Sequence, residues 1–259
     1  MLELDAVQIS GWVSQYVFPF ARITGCLAVM PLLGSQLISR RIRIMLAFMM
    51  TLVIAPIIPE QPKVDALSFA ALVIIAQQLL IGIVLGFLVE IVTQVFVLAG
   101  QMIAMQTGLG IATTVDPAQG ASVVVVSQWF LFMVSLIFLS LNGHLLVIEI
   151  LADSFFTMPV SDVSWNAAQF DAIVKWGGWM FASALLISLP ALTSLLIVNL
   201  AFGVMTRAAP QLNIFALGFP VTMMVGLVII WLNMGSIATS YQFFLEQLFE
   251  FLRKMILSP

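Results

Sequence analysis

From Ala66 to Ala99 the chain runs about 34 residues with a single charge, Glu90. A straight helix of that length reaches ~50 Å against a hydrocarbon core of ~30 Å, so it projects beyond a bilayer or breaks. Gln77, Gln78, Glu90, Thr93 and Gln94 give it a polar side suited to protein rather than to lipid alone. Gly82 and Gly86 carry the small-xxx-small spacing that lets two helices approach closely. Further apolar runs cover 12–33, 44–58, 121–152, 176–203 and 216–237, giving six hydrophobic helical segments. With 62% of residues hydrophobic and 8% charged, a soluble domain would need an apolar exterior. The runs are continuous, whereas a membrane barrel would alternate over ~10-residue segments. The expected fold is an all-α membrane protein, one domain over 1–259, because no polar block is long enough for a second.

Punctuation divides the runs. Pro31-Leu-Leu-Gly34 ends the first, and Pro56, Pro59 and Pro62 close the second. The segment from Asp153 to Lys175 reads as an external polar loop, and Pro190 predicts a kink in the run that follows. Residues 241–254 form an amphipathic tail. Arg40, Arg41 and Arg43 mark their loop as cytoplasmic by the positive-inside bias. Six crossings would place both termini on one side, which sets Arg253 and Lys254 on the wrong side for that bias. Together with the over-long run, this points to helices folded into hairpins against partner subunits instead of simple spans.

The stretch 101–120 (QMIAMQTGLGIATTVDPAQG) interrupts the apolar pattern. It holds five Gly, Pro or Asp residues (Gly108, Gly110, Asp116, Pro117, Gly120), three glutamines and no Lys or Arg. Such a segment is a poor helix, and at membrane depth its backbone survives only buried in protein or lining a wet cavity. An ordinary aqueous loop is the plain alternative.

Charges inside the apolar runs are few: Arg22, Glu90 and Glu149. An Arg amid lipid costs ~2.5–3.5 kcal/mol on insertion scales, so Arg22 belongs against protein, with Glu90 or Glu149 as conceivable partners. His144 reads as a packing residue with Glu149 nearby, or as a proton relay. Catalysis is excluded on motifs: there is no Walker A sequence, HExxH or GxSxG, and one His and one Cys cannot build common metal or nucleophile sites. Gly108-Leu-Gly110-Ile-Ala-Thr lacks the third small residue of a dinucleotide fingerprint. No cofactor, no metal and no nucleic acid is implied, and there is no basic stripe. A solute transporter would show broken helices in corresponding halves, and no repeat of that kind is evident.

At 205–221 (MTRAAPQLNIFALGFPV) the chain resembles the FliR family of bacterial flagellar type III export, which is related to the SctT proteins of injectisomes. Arg22 with Pro31-Leu-Leu-Gly34, Gln106-x-Gly108 with Val115-Asp116-Pro117, Gly143-His144 and Ser154-Phe155 resemble further family signatures in order. The resemblance implies a subunit of a cone-like, hetero-oligomeric export gate in the inner membrane, built of kinked hairpins. Implied partners are FliP-like and FliQ-like subunits, an FlhB-like switch protein, the basal-body ring, and unfolded proteins in transit. It also implies a plug at Gln106, Thr107, Gly108, Leu109, Gly110, Ile111, Ala112, Asp116, Pro117 and Gly120. Met102 and Met105 are candidate seals, since apolar constrictions gate by dewetting. Arg207, Pro210, Gln211, Asn213 and Phe215 are read as a structural turn against a neighbouring subunit, where Pro210 stops a helix and Gln211 and Asn213 satisfy freed backbone groups. Arg22, Glu90, His144 and Glu149 are read as intramembrane polar packing. The alternatives are an injectisome gate subunit and a stand-alone small-solute transporter.

Overall fold

The structure is a computed structural model describing residues 6–35, 38–59, 64, 68–111, 113–115, 122–160, 167–208 and 214–257. Among these, seven α-helices follow in order: α1 (Ala6–Val29), α2 (Arg40–Ile54), α3 (Phe69–Thr107), α4 (Val125–Ser140), α5 (Gly143–Thr157), α6 (Ala167–Ala208) and α7 (Ile214–Leu257). Between α3 and α4 lie a 3-10 turn, Leu109–Ile111, and two antiparallel strands, β1 (Thr113–Val115) and β2 (Ser122–Val124). Three helices are long and apolar enough to cross a membrane, or four spans if α4 and α5 count as one bent pair. The chain divides into two compact units. One comprises Met1–Glu90, Asn142–Ile173 and Glu246–Pro259, the other Ile91–Leu141 and Val174–Leu245.

Several sequence expectations need correction. The six expected segments become seven helices, because Asn142 takes a left-handed backbone (φ 55°) and splits the run 121–152. The long run does not break. α3 continues for 39 residues, about 58 Å, and includes Gln101–Thr107, which the sequence placed in the interruption. The glycines of the interruption come only after Thr107, so apolar packing carries the helix that far. Residues 153–175 are not simply a loop, since α5 reaches Thr157 and α6 starts at Ala167. The apolar run 216–237 and the amphipathic tail are one 44-residue helix, α7.

In the first unit α1 and α2 form an antiparallel hairpin. Gln15 Nε2 donates to Ala55 O (2.7 Å) at one end, and Arg43 Nε donates to Leu33 O (2.8 Å) at the other. Leu32 adopts a left-handed conformation (φ 66°), rare for a bulky side chain, in the turn that ends α1. Arg43 fastens that turn, with Nη2 also donating to Ser35 O at 2.8 Å. This arginine serves the turn, while Arg40 and Arg41 remain exposed. α1 and the first part of α3 run parallel in backbone contact. A Cβ on Gly25 would lie 2.5 Å from Leu79 O, one on Gly86 2.5 Å from Cys26 O, and one on Gly82 would strike Arg22 O.

In the second unit the remainder of α3 is flanked by α4, α6 and α7. Gly100 admits Phe130 and Ser127 of α4, and Gly226 of α7 admits the Thr107 methyl. Phe96 meets the Tyr241 ring edge-on at 5.5 Å, while Thr93 Oγ1 and the Tyr241 hydroxyl are 3.5 Å apart. α7 thus runs antiparallel to α3 here. Only 28% of the most apolar stretch of α6 and 22% of that of α7 is buried within the chain. Leu186, Ile197, Leu200, Trp231 and Leu232 are exposed on the surface of the chain, an apolar area larger than scattered surface residues account for.

Candidate functional site

The described part of the interrupting loop is anchored at both feet. At the first, Thr107 is fully buried. Its Oγ1 donates to Ala104 O (2.9 Å) and accepts from Leu109 N (3.4 Å), which satisfies groups left over at the end of α3. Gly108 follows with φ 80°, a backbone turn that glycine makes without cost and other residues avoid. Leu109, Gly110 and Gln106 are half-buried, and Leu109–Ile111 winds into the 3-10 turn. The strands then pair, Thr113 opposite Val124 and Val115 opposite Ser122. At the second foot Ser127, itself buried, donates to Val124 O (2.7 Å). The described part of the loop is therefore a pair of short antiparallel strands standing on two packed supports.

Other candidate residues fall in different places. Met102 is half-buried, and its Sδ accepts from Ser188 Oγ of α6 at 3.4 Å. Met105 is 71% exposed, and its thioether lies over Gly110, where a Cβ would meet Sδ at 2.6 Å. Ala112, Asp116, Pro117 and Gly120 lie outside the described residues, as do Pro210, Gln211 and Asn213. Arg207 is exposed in the last turn of α6, where a cation suits the helix dipole, and Phe215 belongs to the first turn of α7. Glu90 is half-buried.

Arg22 is the buried polar centre of the first unit, with partners the sequence did not select. Its Nε donates to Gln78 Oε1 (2.8 Å), as does Nη2. Nη1 donates to Ser154 O (2.7 Å) and Ser154 Oγ (3.0 Å), and Nη2 also donates to Met158 O (2.8 Å). These bonds employ all five guanidinium N–H groups, and none goes to Glu90 or Glu149. Instead of a carboxylate, the C-terminal end of α5 receives the cation, where unsatisfied carbonyls and the helix dipole concentrate negative charge. The Phe155 ring adds its face, 4.3 Å from Cζ. Gln78 was legible as part of a polar side, and Ser154-Phe155 as a motif, but only the fold joins them to Arg22.

His144 and Glu149 are not paired. Five residues apart on α5, they point in different directions, and Glu149 is exposed while His144 Nδ1 is buried without a partner. Among the described residues no three His, Cys, Asp or Glu side chains gather as a metal site would need. A cavity of about 320 Å³ in the second unit is lined by Phe96, Ile103, Phe130, Pro190 and Ile230, together with Asn233 and Ser236. The Asn233 amide donates to Ile229 O (2.8 Å) and the Ser236 hydroxyl to Asn233 O (2.8 Å), so these donors serve their own helix instead of converging on a solute.

Residues 13–248 match the family described as Bacterial export proteins, family 1. The flagellar biosynthetic protein FliR of Escherichia coli (strain K12) is 36% identical over 256 residues, 99% of this chain and 98% of that protein. The FliR protein of Pectobacterium carotovorum subsp. carotovorum is 35% identical over the same shares. That of Aquifex aeolicus (strain VF5) is 28% identical over 247 residues, 95% of each chain. With its membrane-length helices and near-complete coverage, the chain belongs to family 1 of the bacterial export proteins, the FliR family, as a non-enzymatic component of flagellar export in the inner membrane.

Proposed function

We propose that the chain is a wall subunit of the flagellar export channel and that its loop 108–124 closes the passage at rest. It assembles with FliP-like and FliQ-like subunits, is served by an FlhB-like switch protein, and sits within the basal-body ring. Unfolded proteins pass along it. The observation that carries this reading is the strand pair itself. A glycine-hinged, charge-poor segment stands on two buried supports, Thr107 and Ser127, between helices whose apolar surfaces are largely uncovered. Helices of 39, 42 and 44 residues, each roughly twice what a ~30 Å core requires, fit stacking into a multi-subunit wall better than simple crossing. Leu109 and the methionine thioether over Gly110 supply the apolar surface that excludes water. The turn at 207–215 serves assembly with a neighbouring subunit.

Deleting residues 108–112 in cells carrying the complete export apparatus tests the reading. Ion leak across the inner membrane is expected to rise while the complex still purifies intact. An unchanged leak through an intact complex would remove the plug.

A further inference from the structure

We propose that Phe219 is the latch that holds the loop closed. This rests on the reading of the loop as a plug and adds what keeps it shut. The Phe219 ring on α7 lies directly on Gly108, where a Cβ would stand 2.6 Å from Cε2 and 2.8 Å from Cδ2. Only a bare Cα admits the ring so close, and only glycine takes the φ of 80° without cost.

The neighbouring contacts differ in kind. Thr107, one residue earlier, is 0% exposed, with its methyl against Gly226 and Leu195 close by. On the return side, Gly100 lies against Ser127 Cα (a Cβ would stand 3.0 Å away) and the Phe130 ring, both of them buried. These two feet are core packing and do not open without local unfolding. Phe219 is 40% exposed in the chain, so its ring is only partly enclosed and a rotamer change can carry it off Gly108. Gly108 then serves as the swivel between the fixed Thr107 and the 3-10 turn at Leu109–Ile111. The ring is the removable member of the set. It also assigns a role to the central residue of Gly218-Phe219-Pro220, which the plug alone does not explain.

The test compares ion leak in cells carrying the whole export apparatus for the native chain, Phe219→Ala, Phe219→Tyr and the 108–112 deletion. Complex yield is measured alongside. Losing one ring contact is expected to raise the leak of Phe219→Ala about tenfold at native complex yield. Phe219→Tyr keeps the ring and is expected to stay sealed. A deletion that leaks beside a Phe219→Ala complex that seals would overturn the latch and leave the plug standing. A deletion that seals would overturn both. If Phe219→Ala fails to assemble, Phe219→Leu takes its place: a partial leak supports the latch, and a native seal overturns it.

Discussion

Arg22→Ala is expected to deplete the protein from the membrane, not merely to slow export. The side chain is fully buried, and its five hydrogen bonds tie α1 to α3 and to the C-terminus of α5. Truncation leaves the Gln78 Oε1 and the Met158 carbonyl without these donors, at ~1–3 kcal/mol each where buried, while the Ser154 carbonyl keeps the Met158 N–H (3.0 Å). It also removes the cation that caps α5 and opens a cavity beside Phe155. Losses of that order rival the ~5–15 kcal/mol by which proteins are stable at all. Lysine carries three donors on a point charge and cannot reproduce a planar five-donor fork, so Arg22→Lys should recover only part of the loss.

Position 78 separates charge from packing. Gln78 Nε2 is buried without a partner, so Gln78→Glu gives up no bond there and offers the cation a carboxylate. It should accumulate close to the native level. Gln78→Leu strands two donor groups of a buried cation and should fall steeply. Immunoblots of the membrane fraction, with thermal unfolding in detergent, read both. Native amounts and native Tm for Arg22→Ala would show that this polar centre is not what joins the three helices.

Gly82→Leu should be as severe, by the opposite route. Here the trouble is atoms added, not bonds lost. A Cβ at position 82 would strike Arg22 O and stand 2.9 Å from Cys26 N, both backbone atoms of α1 that cannot rotate away. Gly25 and Gly86 repeat the close approach on either side, so the two helices cannot part locally. Even Gly82→Ala should cost on the order of 1–3 kcal/mol or more, the range for overpacking a tight interior. Leucine should abolish accumulation. Gly203 is the control: nothing lies within 4 Å of its Cβ position, so Gly203→Ala should leave folding of the chain intact. Equal tolerance at 82 and 203 would mean that α1 and α3 do not touch through their backbones.

What the sequence disclosed follows the range of each signal. Solvent class and the stop at Pro31–Gly34 are local, set by hydropathy and by proline and glycine chemistry, and they were legible. The small-residue face at Gly82 and Gly86 was legible as a motif, but Gly25 opposite it was not, because its meaning depends on a helix about sixty residues away in sequence. Asn142-Gly143 is a turn signal that the surrounding apolar run concealed. The interruption was located correctly but given too early a start, because apolar packing carries α3 through Thr107. Arg22 was recognised as needing protein. Its partners were sought among carboxylates, although a helix end and one amide satisfy it. Phe219 had no signal except its place in a distinctive motif, since a ring lying on a distant glycine leaves no periodicity.

The most direct test of the plug is an image of the gate assembled from this chain with its FliP-like and FliQ-like subunits, closed and without a substrate. Residues 108–124 are expected to lie across the central passage, with the Phe219 ring still resting on Gly108. Finding that segment on the outer surface, against lipid or open water, would contradict it.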